Sequence, residues 1–356
     1  MSLEDRLRRE IAANGPLTVA QYMTRCLHDP QDGYYAARPA LGAAGDFITA
    51  PLTSQMFGEL LGLWTAESWR RMGAPSRFIL AEAGPGDGTL MADALRALRL
   101  EPGCLEAAEL YLVETSSPLI QAQQRRLGGA APSPHWVPAL ESLPQDPPLI
   151  LLANELLDCL PARQFVRAAG GWAERVVGLD DAGRLTFGLS PTPAADALPD
   201  AGLGAVYELS AAQAAFAAAV GDRIARTGGA ALLIDYGRDE PGFGDTLQAL
   251  RGHSRIDPLS CPGQADLTVH VDFPAVRDAA RAAGAQAGPI LDQATFLGRL
   301  GIEARAQALA RNRPDVAPIL MRQLERLTSP DQMGTLFKVL PIYASADFVP
   351  PGFEEA

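Results

Sequence analysis

The 356-residue sequence is poor in basic residues. Lys338 is its single lysine, and 30 basic residues stand against 42 acidic ones, which gives a formal net charge of −12. Nucleic acids and anionic membrane surfaces are both recognised by clustered lysine and arginine, so neither is an expected partner. An acidic chain suits a cationic partner, although net charge also serves solubility alone.

Cysteine and histidine are scarce as well, with four of each. No two cysteines have the C-x-x-C spacing and no H-E-x-x-H motif occurs, so we expect neither a disulfide framework nor a bound metal. No apolar run approaches the ~20 residues of a membrane span, so no membrane insertion is expected. The acidic residues Glu4 and Asp5 are unlike a signal or transit peptide, and the sequence therefore predicts a cytoplasmic protein.

Short apolar segments alternate with helical patterns through the first two thirds of the chain. The expected strands are Phe78–Glu82, Leu110–Glu114, His135–Val137, Leu149–Ala153 and Ala230–Asp235. Apolar strands that do not alternate with polar residues, and that are separated by helices, are typical of a parallel sheet buried on both faces. The sequence thus predicts an α/β fold with a doubly wound, Rossmann-like sheet.

Other segments surround or interrupt this predicted core. The sequence predicts an N-terminal helical lid (1–74), a core (75–240) with an inserted hairpin (about 163–189), a helical and loop insertion (241–329) and returning strands (330–350). Within the lid, Thr18 and Gln21 match a capping box at the start of a helix. A second helix is expected from Leu52 to Met72, with a buried stripe of Met56, Leu60, Leu63 and Trp64.

The sharpest chemical motif is the glycine-rich segment Glu82–Thr89, which follows the first expected strand. Gly84, Gly86 and Gly88 allow the backbone to pass close to a ligand. A dinucleotide-binding G-x-G-x-x-G needs a glycine where Thr89 stands, and a P-loop needs a lysine, so NAD and ATP are disfavoured. An acid followed by G-x-G-x-G is instead typical of class I methyltransferases, which bind S-adenosylmethionine. The alternative is an ordinary tight turn between strand and helix.

Glu114 closes the second expected strand, where nucleoside-binding folds have an acid that accepts the ribose hydroxyls. The alternative is an acid that is favoured by the N-terminus of the next helix. The glycine loop and Glu114, in this order, favour a nucleoside site.

Three polar residues follow the fourth expected strand: Asn154, Glu155 and Asp158. Ligands bind at the carboxyl ends of strands in open α/β sheets, so this amide and these carboxylates are expected to face the methyl donor, although they could instead cap the next helix. His270, which lies between apolar residues, is either a hydrogen-bonded core histidine or a base of the site.

The chain resembles the MidA-type family of S-adenosylmethionine-dependent methyltransferases, which includes the mitochondrial complex I assembly-factor arginine methyltransferase. The segments that carry the resemblance are Gly15–Met23, Asp29–Tyr35, Gly45–Pro51, Glu82–Leu90, Ala153–Pro161 with Gln164 and Phe165, Asp235–Gly237, Asp266–Phe273 and Phe337–Leu340. They follow one another along most of the length.

The resemblance implies a class I methyltransferase with S-adenosyl-L-methionine as cofactor and a protein arginine as methyl acceptor. In mitochondrial members of the family, this arginine belongs to a subunit of complex I. The glycine loop of the family falls on Gly84, Gly86 and Gly88, and its ribose-binding acid falls on Glu114. Asp46, Glu82 and Asn154 are also expected in the cofactor site. Glu155, Asp158 and His270 are the candidate catalytic residues. The sequence leaves the oligomeric state open, a homodimer included.

Arginine methylation is chemically consistent with these candidates. A guanidinium has a pKa above ~12 and cannot be deprotonated by a simple base, so an enzyme must hold it with carboxylates and aim one nitrogen at the methyl group. Two alternatives stay open at this point: an assembly chaperone that binds the cofactor without turnover, and a methyltransferase that acts on nitrogen or oxygen atoms of small molecules.

Overall fold

The structure, a computed structural model, describes residues 1–37, 49–194 and 198–354. The strands are β1 (Leu17–Thr18), β2 (Phe78–Ala83), β3 (Ala108–Val113), β4 (His135–Val137), β5 (Leu149–Asn154), β6 (Arg163–Ala168), β7 (Gly171–Leu179), β8 (Leu185–Pro193), β9 (Val206–Leu209), β10 (Gly229–Arg238), β11 (Gln248–Arg251), β12 (Ser254–Ile256), β13 (Asp266–Thr268), β14 (Val271–Asp272), β15 (Gln286–Ala287), β16 (Leu291–Asp292) and β17 (Phe337–Tyr343).

The helices are α1 (Leu3–Asn14), α2 (Val19–His28), α3 (Tyr34–Ala37), α4 (Ala50–Thr53), α5 (Gln55–Arg71), α6 (Thr89–Leu98), α7 (Pro102–Ala107), α8 (Ser117–Leu127), α9 (Ala211–Thr227), α10 (Phe273–Ala282), α11 (Gln293–Arg299), α12 (Ile302–Asn312), α13 (Ala317–Thr328) and α14 (Met333–Leu336). The capping box expected at Thr18 is present at the start of α2. In the part of the chain that the structure describes, none of these helices has the length and apolar character needed to span a bilayer.

The chain forms two compact units. The smaller unit comprises Met1–Phe47, Asp158–Ala214 and Glu240–His270, and the larger unit comprises Ile48–Leu157, Ala215–Asp239 and Val271–Ala356. The boundaries of lid, core and insertion that the sequence predicts stay a prediction, because the two compact units do not test which segment has which of these roles.

The larger unit is built on a nine-stranded sheet with the order β15-β17-β10-β5-β2-β3-β4, in which β14 pairs with β10 and β16 with β17. Strands β2, β3, β4, β5 and β10 are mutually parallel, and β17 runs antiparallel to β10. Every residue of β2 and β5 is buried, as their unbroken apolar sequences predict. The chain moves outward from β2 in one direction and then continues on its other side, so the predicted doubly wound α/β fold is confirmed.

Helices α5 and α6 pack closely in the core of the larger unit. Phe57, Trp64, Leu90 and Leu98 are among the residues they bury there. The helix expected from Leu52 to Met72 is divided at Ser54 into α4 and α5. Leu63, expected in the buried stripe, is 41% exposed, because the stripe follows Met56, Leu60 and Trp64 and turns Leu63 outward.

The smaller unit contains two antiparallel sheets over a separate apolar core. Strands β1, β7, β6 and β9 form one sheet with β8 paired to β7, and β12, β11 and β13 form the other. The turn expected at Asp180–Gly183 is present between β7 and β8. The single hairpin expected over 163–189 is instead a three-strand meander, because the chain also reverses at Gly170–Gly171, where Gly171 has a left-handed φ of +121°.

Segment 241–329 holds more strand than the sequence predicts. It contains β11 to β13 of the smaller unit, and β14, β15 and β16, which pair with the large sheet. These strands have two to four residues each, too few for an alternating pattern to be recognised.

The contact between α5 and α6 predicts the cost of adding one methyl group. A Cβ at Gly62 would lie 2.4 Å from the Ala94 carbonyl oxygen, so Gly62→Ala should lower the free energy of unfolding by about 1 to 3 kcal/mol. The matched control is Gly298→Ala in α11, where a Cβ meets nothing within 4 Å and better helix propensity should add up to about 1 kcal/mol. Urea unfolding measures both, and equal midpoints for the two variants would contradict this account of the helix contact.

Candidate functional site

Three polar side chains lie on one face of the large sheet at its carboxyl end. Glu82 in β2 pairs with Leu112 of β3 and with Leu152 of β5. Paired residues of parallel strands point to the same face of the sheet, and side chains along a strand alternate between faces with a period of two. Glu114 lies two residues beyond Leu112, and Asn154 lies two residues beyond Leu152. Both therefore share the face of Glu82. The order of the strands reverses here, which is the position where open α/β sheets bind ligands.

The glycine loop follows β2 and leads into α6. Gly84, Gly86 and Gly88 all have left-handed φ values, +66°, +54° and +84°, which other residues adopt only at a cost in free energy. The Asp87 carboxylate receives hydrogen bonds from the Thr89 backbone N–H and hydroxyl, and it is 2.7 Å from Arg126 of α8. The loop is therefore held in one conformation by its own residues and by α8.

Gln123, which the sequence analysis missed, ties the loop to the end of β3. This fully buried side chain donates from Nε2 to the Gly86 carbonyl at 2.8 Å and to Glu114 Oε2 at 3.3 Å, and its Oε1 accepts from the Trp136 indole at 2.8 Å. A glutamine in the middle of a helix gives no sequence signal of such a role, since only the fold brings α8 to the loop.

Besides the longer hydrogen bond from Gln123 to Oε2, Glu114 is anchored through its other oxygen. Its Oε1 accepts from the backbone N–H groups of Thr115 at 2.8 Å and Ser116 at 2.7 Å. Burial raises the pKa of the carboxyl, whereas these hydrogen bonds and the one from Gln123 lower it. The side chain is thus oriented before any ligand arrives, with Oε2 on the side of Gln123.

Glu82 is the most deeply buried acid of this group, with 3% of its surface exposed. Its Oε2 has no hydrogen-bond partner. Burial above all, and then the negative charges of Asp87 and Glu114, raise the pKa of Glu82 to about 8, although a hydrogen bond from the Met91 backbone opposes them. A buried acceptor without a hydrogen-bond partner lowers the stability of the fold, and such groups are rare in native proteins.

Asn154 is the last residue of β5, and Glu155 follows it. Asn154 Nδ2 donates to Glu155 Oε1 at 3.1 Å, and the buried Asn154 Oδ1 has no hydrogen-bond partner. Glu155 has a left-handed φ of +51°, a strained conformation for a residue with a Cβ, and its Oε1 also accepts from the Ala50 backbone N–H at 2.9 Å. Glu155 therefore caps α4, a different helix from the one that the sequence analysis considered.

Of the remaining predicted residues, two belong to the smaller unit and one is not among the described residues. Asp158 and His270 belong to the smaller unit: the Asp158 carbonyl accepts from the Val269 N–H at 2.9 Å, and the His270 N–H donates to the Thr246 hydroxyl at 2.8 Å. Asp46 lies outside the described residues. Among the residues that the structure does describe, no group of histidine, cysteine, aspartate and glutamate could hold a metal ion.

Comparisons with known proteins identify the family. The family model described as "Putative S-adenosyl-L-methionine-dependent methyltransferase" matches residues 60–290. The chain is 38% identical to the Drosophila melanogaster homolog of the mitochondrial protein arginine methyltransferase NDUFAF7, over 96% of this chain and 85% of that protein. It is 37% identical to the human mitochondrial protein arginine methyltransferase NDUFAF7, over 93% of this chain and 81% of that protein.

These relatives correct one expectation from the sequence. Both are named as mitochondrial proteins, so the predicted cytoplasmic location is wrong. That prediction used Glu4 and Asp5 as indicators of location. In the structure they lie in the first turn of α1, where Asp5 forms a capping box with Ser2, and this local role explains acids at these positions.

Solved structures agree with the family model. A superfamily member from Burkholderia thailandensis, crystallised with S-adenosyl-homocysteine, is 30% identical and has a TM-score of 0.85, over 99% of this chain and 93% of that one. A second structure, of a native superfamily protein from the same organism, is 31% identical with a TM-score of 0.83, over 99% of this chain and 92% of that one. The expected class I methyltransferase fold and its cofactor are thereby confirmed, and the chain belongs to the S-adenosyl-L-methionine-dependent methyltransferase family of these relatives.

Proposed function

We propose that this methyltransferase transfers the methyl group of S-adenosyl-L-methionine to an arginine of a protein substrate. The proposed cofactor site is supported by one observation. At the carboxyl ends of three adjacent parallel strands lie the glycine loop, Glu82, Glu114 and Asn154. The arginine acceptor is supported by the relatives named as protein arginine methyltransferases. The net charge of −12 suits an arginine-bearing partner.

The residues of the larger unit fit the cofactor chemically. The left-handed glycines allow the backbone of the loop to approach a ligand, and Glu114, anchored through Oε1, offers oxygen acceptors to ribose hydroxyls. The buried Glu82 Oε2 and Asn154 Oδ1 are acceptors without a donor, which a ligand with N–H or O–H groups would satisfy. The loop lacks the lysine that a triphosphate would require.

The cofactor supplies a methyl group bound to a positively charged sulfur. The protein must hold a guanidinium that stays protonated in solution and orient one of its nitrogens. Glu155, at the carboxyl end of β5, is our candidate for that carboxylate, and its left-handed φ is the kind of strain that functional positions retain. Asp158 and His270 stay predictions as further catalytic residues, as do a complex I subunit as substrate and a homodimer.

The function is tested by transfer of a tritiated methyl group from S-adenosylmethionine to the proteins of a lysate from cells that lack this enzyme. We expect label in one or a few protein bands and, after acid hydrolysis, in methylated arginine. Gly86→Val should abolish transfer, because a β-branched residue resists the φ of +54° and would fill the space close to the loop. Gly129→Val is the matched control, since a Cβ there meets nothing within 4 Å.

Label in another amino acid or in small molecules alone would refute the arginine assignment. Normal S-adenosylhomocysteine binding by Gly86→Val would refute the assignment of the loop to the cofactor.

Glu114→Ala should weaken S-adenosylhomocysteine binding by about 1 to 3 kcal/mol, the range for hydrogen bonds to a charged acceptor. Glu109→Ala, in the same strand, removes an acid that pairs with Arg77 and should leave binding unchanged. Isothermal titration calorimetry measures both affinities. Equal losses of affinity in the two variants would mean that the effect comes from the charge or stability of β3 and not from a contact with the ribose.

Glu155 has two roles that different substitutions can separate. Glu155→Gln keeps an oxygen acceptor for the Ala50 N–H but removes the negative charge, so turnover should fall by about 10²- to 10³-fold with little change in cofactor affinity. Glu155→Ala removes the cap as well and should cost about 1 kcal/mol of stability in addition. Single-turnover transfer and thermal melting are measured on both variants. Normal turnover by Glu155→Gln would leave Glu155 a capping residue only.

A further inference from the structure

Glu82 is enclosed by apolar side chains and backbone. Leu112 and Leu152, its partners in the neighbouring strands, are fully buried on either side of it. The Met91 N–H, in the first turn of α6, donates one hydrogen bond to the carboxyl. Oxygen Oε2 is buried and has no hydrogen-bond partner. An ionised Glu82 would therefore lose its hydration and gain few hydrogen bonds in the site, so burial disfavours the charged form.

The charged groups that act on Glu82 are acids. Asp87 of the glycine loop and Glu114 after β3 both disfavour its negative charge. Arg126 of α8 is the ion-pair partner of Asp87, and on β5 the nearest polar side chain of the same face, Asn154, is uncharged. Burial and these acids together raise the pKa of Glu82 to about 8. The carboxyl therefore holds its proton at neutral pH.

The unpartnered acceptors indicate which part of the cofactor they receive. Glu82 Oε2 and Asn154 Oδ1 share one sheet face. Asn154 Oδ1 needs a hydrogen-bond donor, and so does Glu82 Oε2 when the carboxyl is ionised. A sulfonium has no N–H or O–H group, and the ribose hydroxyls are assigned to Glu114. The adenine amino group has two N–H donors but no charge. The ammonium group of the methionine part has three N–H donors and a positive charge, so it can both donate to these acceptors and balance a carboxylate.

We propose that the arrival of the cofactor's ammonium group beside Asn154 drives the proton off Glu82, so that binding releases one proton. The O–H bond of the Glu82 carboxyl breaks, its electron pair stays on the carboxylate, and the proton passes to the solvent. The cofactor's own covalent bonds do not change. This inference rests on the proposed cofactor site and concerns the change in protonation of Glu82 on binding.

The test is calorimetric titration of the wild-type protein with S-adenosylhomocysteine, which cannot donate a methyl group. At pH 7, in phosphate and in Tris, the difference between the observed heats should correspond to about 0.9 proton released for a carboxyl of pKa about 8. Release should fall to about half a proton at about pH 8, and affinity should rise about tenfold from pH 6 to pH 7. Equal heats in the two buffers with normal binding would overturn the inference alone, whereas absence of binding would overturn the proposed cofactor site.

Two controls identify the source of the proton. Glu82→Gln, which keeps size and polarity, should bind more weakly and release no proton, and circular dichroism checks its fold. If it releases as much as the wild type, the proton comes from another group and the inference fails. 5′-Methylthioadenosine has the ribose and no ammonium, so it should bind to the wild type without release. Release with this ligand would point to Glu114 and would also overturn the inference.

Discussion

Parallel pairing of β2 with β3 on one side and with β5 on the other determines where the candidate cofactor groups lie. The pairs Glu82–Leu112 and Glu82–Leu152 set Glu114 and Asn154 two residues further along their own strands, on the same face as Glu82. A slip of one residue in either pairing would turn one of these side chains to the opposite face. The buried apolar residues of the strands oppose such a slip. The contacts that form the core of the larger unit therefore also position the candidate cofactor-binding side chains.

The loop after β2 depends on partners from outside its own sequence. Gln123 of α8 holds the Gly86 carbonyl and Glu114 together, and Trp136 of β4 fixes Gln123 in turn. A buried network of this kind is stabilising only if its members are satisfied, and here they are. Each of these hydrogen bonds contributes about 1 kcal/mol net, but loss of one partner leaves the others unpaired in the core. The loop is therefore preorganised by β3, β4 and α8 together.

The sequence allowed the prediction of those features that depend on neighbouring residues. The long apolar strands β2, β5 and β10 and the glycine loop are local patterns, and they were predicted within a few residues. Gln123 and the partnerless oxygen of Glu82 could not be predicted, because each depends on residues that are distant in the sequence. Glu155 illustrates the same limit. Its position at the end of a strand was predictable, but its hydrogen bond to Ala50, more than one hundred residues away, required the fold.

The state of Glu82 follows from a comparison of two opposing effects. The first turn of α6 favours a negative charge through its Met91 N–H and the helix dipole, and such a terminus contributes about 0.3 to 1 kcal/mol, up to ~2 kcal/mol in a partly buried geometry. Transfer of a carboxylate out of water costs several kcal/mol, and two nearby acids add to that cost. The neutral form therefore prevails at neutral pH. Because a raised pKa means that the folded protein holds the proton more tightly than the unfolded chain, Glu82 lowers stability progressively as pH rises from about 4.5 to about 8. Our proposal accounts for a buried acid with this cost in the candidate cofactor site, because a cationic ligand would compensate the charge of Glu82 when it binds.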